Sequence, residues 1–271
     1  MKETVKLKIL ILLFAVFVSG SFACGKKDMP VVDTQIAPVK VAVDSSFMPT
    51  AKLLANDFTT NTGIAVELTP GTNQELVNMI LEGGDYDVFM ASDTEHPQEL
   101  IDSGKALSEG EAVYAYGIVA LYSKSWKVNW TAAQYLFSGQ FAALGIPNPE
   151  DNPYGKAGVS ILKNIEVYDS LENKIVYTNN EEETLAQVKA KQLDAGFIAY
   201  SSLSDRSKRW AWIVPQTVYD PIEQGAVLIT KDNVNDSAKI WMGYLISEGA
   251  QSIIQQSGYG ILNNTTISSS N

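Results

Sequence analysis

The 271-residue sequence contains one cysteine, Cys24, and one histidine, His96. With so few thiol and imidazole groups, the chain cannot build a zinc cluster, an iron–sulfur site or a disulfide framework. A serine hydrolase triad could take only His96 as its base. Composition alone therefore excludes most metal chemistry and most covalent catalysis.

Basic residues are also scarce, since 20 lysines and arginines stand against 31 aspartates and glutamates, for a formal net charge of −11. A chain this acidic is a poor non-specific binder of nucleic acid or of an anionic membrane surface. Hydrophobic residues nevertheless make up 45% of the sequence and charged residues only 19%. The chain can therefore bury a core, and its length suits one large domain or two lobes.

One apolar run, of ten residues, lies at 9–18. It is shorter than the roughly 20 residues that span a bilayer. Lysines precede it and small residues follow it, which predicts a signal peptide over residues 1–23. Cys24 comes next, in a segment that resembles a bacterial lipobox. The resemblance implies lipidation of Cys24, because two or more acyl chains anchor a protein stably to a membrane.

The remaining chain is predicted to be an α/β protein of two lobes. Residues 24–38 are polar and contain prolines, which predicts a tether, and residues 263–271 predict a disordered tail. Between them, short apolar strands alternate with longer amphipathic stretches, as in parallel α/β layers. We expect lobe 1 at 39–116 and 222–262 and lobe 2 at 117–221. Two crossover segments, near 115–120 and 219–227, would join them.

Polar residues at four predicted helix starts suggest a binding site. Ser45 and Ser46 follow the first strand, just before Pro49, and Thr72 begins a capping-box pattern. Two further starts lie at 152–155 and at 180–183. Each helix start leaves unpaired N–H groups and a partial positive charge of roughly half an elementary charge. In an open parallel sheet these starts lie where ligands bind.

Four such starts meeting in a cleft would suit a tetrahedral dianion. A protonated oxyanion such as hydrogen phosphate would need an acceptor for its O–H, or lose about 1–3 kcal/mol. The simpler interpretation remains open at this point, because Ser, Thr and Asn are ordinary helix caps.

Several stretches resemble the extracytoplasmic molybdate-binding proteins of ABC importers, and together they cover about 39–261. The most specific are VKVAVDSSF, GGDYDVFMASD, IPNPEDNPYGKAG, LDAGFIAYS and VPQTVYDPIEQGAVLI. The resemblance implies a two-lobed periplasmic-binding-protein-like fold of type II that closes on its ligand. It also implies an oxyanion held by hydroxyl and N–H groups without a counter-charged side chain. By position, the implied ligand-binding residues are Ser45, Ser46, Thr72, Asn73, Tyr154 and Glu181.

Three positions depart from the family pattern. Asp44 stands where a small apolar residue is usual, and a carboxylate there would repel a dianion unless it turned away or were paired. Asn73-Gln74 replaces the usual Ser-Gly. Glu181 opens an acidic triplet, which would also suit the first turn of a helix as a cap facing solvent.

The sequence therefore predicts an extracytoplasmic lipoprotein, monomeric and free of cofactors, that captures molybdate or tungstate. It would lie in the periplasm or on the outer face of the membrane and deliver its ligand to an ABC permease and its ATPase. Sulfate or phosphate is an alternative ligand. A serine hydrolase using Ser45 or Ser46 with His96 is a weaker alternative, since His96 is expected at the surface. A lipoprotein that has lost its ligand is a third.

Overall fold

The computed structural model describes residues 37–124, 132–150, 152–231 and 234–262. The predicted signal peptide, Cys24, nearly all of the predicted tether and the predicted tail lie outside these ranges. Within the described ranges, no helix is both long enough and apolar enough to cross a membrane. The described residues belong to one compact unit.

Strands and helices alternate along the described chain. The strands are β1 (Val39–Asp44), β2 (Val66–Gly71), β3 (Val88–Met90), β4 (Ala106–Gly117), β5 (Val119–Tyr122), β6 (Leu144–Pro147), β7 (Ile175–Thr178), β8 (Ala195–Ala199), β9 (Ala211–Ile213) and β10 (Ile222–Ile229). The helices are α1 (Met48–Thr62), α2 (Asn73–Leu81), α3 (Glu95–Asp102), α4 (Ala132–Ser138), α5 (Pro153–Asn164), α6 (Tyr168–Leu171), α7 (Glu181–Lys189), α8 (Asp205–Lys208), α9 (Asp236–Leu245) and α10 (Glu248–Gln256).

Local sequence signals explain where the first two helices begin and end. Pro49 lies in the first turn of α1, where its missing N–H costs nothing, and Gly63 follows the helix with a left-handed φ of 74°. At the start of α2, the Thr72 hydroxyl accepts the Glu75 N–H at 3.3 Å. The Glu75 carboxylate in turn accepts the Thr72 N–H at 2.9 Å. The predicted capping box is thus present.

The strands form two five-stranded sheets. The first has the order β2-β1-β3-β10-β4 and the second the order β7-β6-β8-β5-β9. Strands β2, β1 and β3 are parallel, as are β7, β6 and β8. The two-lobed α/β architecture predicted from the sequence is therefore confirmed.

The parallel arrangement expected from the sequence holds for three strands of each sheet, but each sheet is mixed. Strand β10 runs antiparallel to β3 and β4, and β5 runs antiparallel to β8 and β9. Both antiparallel strands are the first to follow a passage from the other sheet. Such a strand enters at the edge where the parallel strands end, so it must run against them.

The chain passes between the sheets at Ile118 and again at 214–221. The first passage lies within the predicted crossover at 115–120. The second begins and ends earlier than the predicted segment at 219–227, because residues from Ile222 onward are strand β10, between β3 and β4. The Val119 N–H donates to the Tyr219 hydroxyl at 3.2 Å, which ties the two passages together.

Each sheet is covered on both faces by helices. In β1, Val41 and Val43 pack into the cluster that contains Phe58 of α1 and Trp241 of α9. Ala42, between them, faces the opposite cluster formed with α2 and α3. This alternation follows from the two-residue period of a strand. Packing on both faces leaves the strand ends as the places where polar side chains can meet a ligand.

Candidate functional site

The carboxyl ends of the parallel strands in the two sheets border one cavity of about 1290 Å³. Loops and helix starts from both lobes line it. Of the six predicted ligand-binding residues, five contribute to its wall: Ser45, Ser46, Thr72, Asn73 and Glu181. Tyr154 is buried behind the wall, next to Pro153, which does line the cavity.

Asp44 ends strand β1 and also lines the cavity. Its Oδ1 accepts two hydrogen bonds from Ser46, one from the N–H at 3.0 Å and one from the hydroxyl at 2.6 Å. The hydroxyl and N–H of Ser45 both donate to the Gly71 carbonyl, at 3.1 and 2.9 Å. The hydroxyls implied as first-loop anion donors therefore already have protein acceptors, and the acceptor for Ser46 is itself an anion.

Asn73 connects the start of α2 to the loop that follows β3. Its Nδ2 donates to the Ser92 hydroxyl at 3.0 Å and to Asp93 Oδ2 at 2.9 Å, and its Oδ1 accepts the Ser92 N–H at 3.3 Å. The Asn73 side chain thus positions this loop. Thr72 caps the same helix, since its oxygen accepts the Glu75 N–H.

We expected His96 at the surface, but it lines the cavity. Its side chain is 25% exposed, and its Nδ1 lies 2.7 Å from Asp93 Oδ2. The expectation failed because α3 begins at Glu95, two residues before the predicted start near Pro97. His96 is therefore in the first turn, where Asp93 Oδ1 also accepts its N–H at 3.0 Å.

The contact between His96 and Asp93 changes the pKa of both side chains. The hydrogen bond to Asp93 raises the pKa of His96, against the effect of burial. Burial alone would raise the pKa of Asp93, but the hydrogen bonds and charge of His96 outweigh it and lower that pKa. The pair therefore favours its ionised form, and its two charges largely cancel each other.

Asn152 organises the second-lobe wall. Its Oδ1 accepts the N–H groups of Tyr154 and Gly155 at 2.9 and 3.1 Å, which caps α5. Its Nδ2 donates to Glu181 Oε2 at the start of α7. The Tyr154 N–H, implied as an anion donor, is thus held by an uncharged side chain that a ligand could replace.

Close packing explains the residues that follow Asn152. A Cβ atom at Gly155 would lie 2.2 Å from the Pro147 carbonyl oxygen, so only glycine allows α5 to begin this close to β6. The Tyr154 side chain is 2% exposed. Its hydroxyl would be 2.6 Å from a Cβ atom at Gly117, the residue before the first passage between the lobes. Tyr154 thus links the second-lobe wall to that passage.

Two carboxylates face the cavity from opposite lobes. Burial raises the pKa of Asp44, and the hydrogen bonds from Ser46 only partly offset it. Burial also raises the pKa of Glu181, which accepts hydrogen bonds from its own N–H and from Asn152 and is further affected by the charge of Asp44. Both groups therefore bind a proton more readily than an exposed carboxylate does.

Among the described residues that line the cavity, two are lysines, Lys156 and Lys189. Lys156 Nζ lies 3.2 Å from Glu95 Oε1 and so joins α5 of the second lobe to α3 of the first. Lys189 is at the far end of α7. In the described ranges, no group of three or more His, Cys, Asp or Glu residues is arranged to hold a metal ion.

Sequence reasoning underestimated two cavity residues. Asp93 was not among the predicted ligand-binding residues; it accepts the His96 N–H in the first turn of α3 and also orients the His96 ring. Ser92 was not identified. It lies two residues after the buried strand β3, much as Ser45 and Ser46 follow β1, and that position is the signal that could have found it.

Three comparisons with known proteins agree with this architecture. The chain matches the family described as bacterial extracellular solute-binding protein over residues 39–260. The molybdate-binding protein ModA of Azotobacter vinelandii is 30% identical over 246 residues, which cover 90% of this chain and 94% of that protein. ModA of Rhodobacter capsulatus is 28% identical over 222 residues, covering 82% and 87% of the two chains.

A solved structure extends the likeness from sequence to fold. The periplasmic molybdate-binding protein of Azotobacter vinelandii superposes with a TM-score of 0.70 at 28% identity, covering 83% of this chain and 99% of that one. The chain therefore belongs to the bacterial extracellular solute-binding proteins and, within them, to the molybdate-binding protein family.

Proposed function

We propose that this protein is an extracytoplasmic lipoprotein, anchored through Cys24, that captures molybdate or tungstate and delivers it to an ABC importer. The observation that carries the proposal is the single cavity lined by helix starts of both lobes, including Ser46, Thr72 and Glu181. Helix starts stabilise anions through their N–H groups and dipoles. The similar proteins named above are called molybdate-binding proteins.

Capture would require the lobes to approach each other. A cavity of about 1290 Å³ is far larger than one tetrahedral oxyanion. The chain links the sheets only at Ile118 and at 214–221 among the described residues, which suits hinge closure around a ligand. Closure would bring Ser46 of the first lobe and Asn152 of the second lobe to the same anion and exclude water from it. Hydrogen bonds are stronger where water is excluded.

The proposed partners are a membrane permease, its ATPase and the oxyanion. We propose that the protein acts as a monomer in the periplasm or at the outer face of the membrane, without nucleic acid and without a cofactor. Catalysis is not part of the proposal. The Ser45 hydroxyl donates to the Gly71 carbonyl and the Ser46 hydroxyl to Asp44, so neither is paired with His96 as a hydrolase would require.

The test is calorimetric titration and thermal unfolding of the mature lipoprotein with molybdate, tungstate, sulfate and phosphate. A ligand present at 100 times its dissociation constant should add about 2.7 kcal/mol to the free energy of unfolding. We expect molybdate and tungstate to stabilise the protein most. If no anion does so, the proposed function is wrong; if sulfate or phosphate prevails, the ligand assignment is wrong.

Variants locate the site. Ser46→Ala removes a hydroxyl donor to a charged group, worth about 1.5–3 kcal/mol, so molybdate affinity should fall about ten- to hundredfold. Tyr154→Pro removes the N–H that Asn152 now accepts and should also weaken binding, provided thermal unfolding shows an intact fold. Ser252→Ala, an exposed serine on α10, is the matched control and should bind as the wild type does. Wild-type affinity in both site variants would contradict the site.

A further inference from the structure

Asp44 places a hydrogen-bond acceptor beside the Ser46 donors in the first-lobe wall of the cavity. Both hydrogen bonds from Ser46 go to Oδ1. Among the described residues, Oδ2 accepts no hydrogen bond that would occupy it. Asp44 lines the cavity beside Ser46, so a ligand that binds the Ser46 donors meets the Asp44 carboxylate.

A carboxylate oxygen and an oxygen of a fully ionised dianion repel each other, because both carry only lone pairs and negative charge. One proton between them changes repulsion into a charge-assisted O–H···O hydrogen bond, about twice as strong as a neutral one. A dianion that reaches the Ser46 donors must therefore displace the Asp44 carboxylate or acquire a proton beside it. Displacement would leave a partly buried charge without its two hydrogen bonds.

The groups around Asp44 do not supply a fixed positive charge to replace that proton. On the first lobe, Asp93 and His96 form an ion pair with each other, so their effects on Asp44 oppose. On the second lobe, Glu181 faces Asp44 as a further carboxylate. The other titratable groups that sense the charge of Asp44 are the buried phenols of Tyr114, Tyr154 and Tyr259.

We propose that Asp44 couples anion capture to the uptake of one proton, which it shares with an oxygen of the bound oxyanion. The inference rests on the proposed function, that this cavity binds an oxyanion. The proton comes from water; the carboxylate and the dianion hold it between two oxygens, and no bond to the central atom forms or breaks. Asp44 thereby makes the selectivity depend on pH. Hydrogen phosphate brings its own O–H, whereas molybdate, tungstate and sulfate must draw a proton from solution, so their binding weakens more as pH rises.

Calorimetry of the mature lipoprotein tests this directly. Molybdate is titrated at pH 6, 7 and 8, at each pH in two buffers of different ionisation enthalpy, so that the buffer-dependent heat counts the protons taken up. We expect about one proton per anion at pH 7–8, and an affinity that falls up to about tenfold per pH unit. Hydrogen phosphate, if it binds, should take up fewer protons than molybdate.

Three variants identify the group responsible. Asp44→Asn keeps the shape of the side chain but cannot share a proton, so uptake should fall near zero and molybdate affinity at pH 8 should rise. His96→Gln should retain the uptake. Asp205→Asn, a change of the same charge at a side chain that is 99% exposed on α8, should match the wild type.

The outcomes separate this proposal from the proposed function. Molybdate binding to the wild type without proton uptake overturns the role of Asp44 and leaves the proposed function standing. Proton uptake that persists in Asp44→Asn also overturns the role of Asp44. So does proton uptake that is lost in His96→Gln but retained in Asp44→Asn. An absence of anion binding in the wild type overturns both. If Asp44→Asn fails to fold, the wild-type proton count still decides.

Discussion

The two ends of strand β1 hold aspartates in opposite ways. At its amino end, Asp85 and Asp87 contact two lysines: Lys231 Nζ lies 2.6 Å from Asp85 and 2.9 Å from Asp87, and Lys40 also pairs with Asp85. These lysines lower the pKa of Asp85 to about 2. At the carboxyl end, the Asp44 carboxylate accepts hydrogen bonds only from the neutral donors of Ser46 among the residues that the structure describes, and burial raises its pKa.

The difference indicates what each end does. Aspartates neutralised by lysines hold elements together: Asp87 also accepts the Lys40 N–H at 2.8 Å and the Asn235 amide at 3.3 Å, which joins β1 to the start of α9. An aspartate held by neutral donors stays responsive to protons and ligands. Charge placement therefore distinguishes the structural end of β1 from the end at the cavity.

The largest effect on stability is expected at the structural end. Asp87→Asn removes a 6% exposed charge that accepts hydrogen bonds from three groups, while Lys231 keeps its contact with Asp85. We expect a loss of about 2–3 kcal/mol in the free energy of unfolding, measured by urea denaturation. Asp236→Asn, whose side chain is 90% exposed, is the control and should cost less than about 1 kcal/mol. Equal losses of stability in Asp87→Asn and Asp236→Asn would contradict the contrast drawn between the two ends of β1.

At the cavity end, the same change from Asp to Asn should raise the free energy of unfolding at pH 8 instead of lowering it. Because the folded-state pKa of Asp44 is raised, its protonated form adds stability below pH ~4, and this contribution is lost as pH rises through the folded-state pKa. Asp44→Asn should therefore be more stable than wild type at pH 8, by up to about 1 kcal/mol, and lose that advantage near pH 4. A variant less stable than wild type at pH 8 would contradict the raised pKa.

The smallest effect is expected for Asp85→Asn, because the Asp85 side chain is 67% exposed and solvent screens its ion pairs. Its lowered pKa adds stability above the unfolded-state value near 4, and that stability disappears as pH falls towards 2. We expect a loss below about 1 kcal/mol at pH 7, smaller in 1 M salt and absent at pH 2. A difference that persists at pH 2 would show that packing, and not charge, is responsible.

Much of the fold was predictable from local signals. Alternating short apolar and longer amphipathic segments indicate α/β units, and the capping box at Thr72 marks the beginning of α2 correctly. The antiparallel direction of β10 was not predictable. The pattern of apolar residues indicates that a strand is buried, but it does not indicate the direction of the neighbouring strands. The order of strands depends on contacts between distant parts of the chain.

As with the fold, only part of the site was predictable from the sequence. Position after a strand end indicated Ser45, Ser46 and Thr72, and the family resemblance added Asn73 and Glu181. The structure brings all five to one wall of the cavity or the other. The sequence did not reveal that the Asn73 amide is directed to Ser92 and Asp93. Hydrogen-bond partners of a polar side chain are chosen among neighbours that only the folded chain supplies.

The sequence by itself determined that this chain has almost no residues for metal or thiol chemistry, that it forms α/β units, and that polar helix starts follow its strands. These properties are local, set by composition, periodicity and caps within a few residues. Only the tertiary structure decided that Asp44 faces Glu181 across the cavity, and that the Asn73 amide reaches Ser92 and Asp93. Proton affinity depends on burial and neighbouring charges, and both are created when the two lobes come together around the cleft.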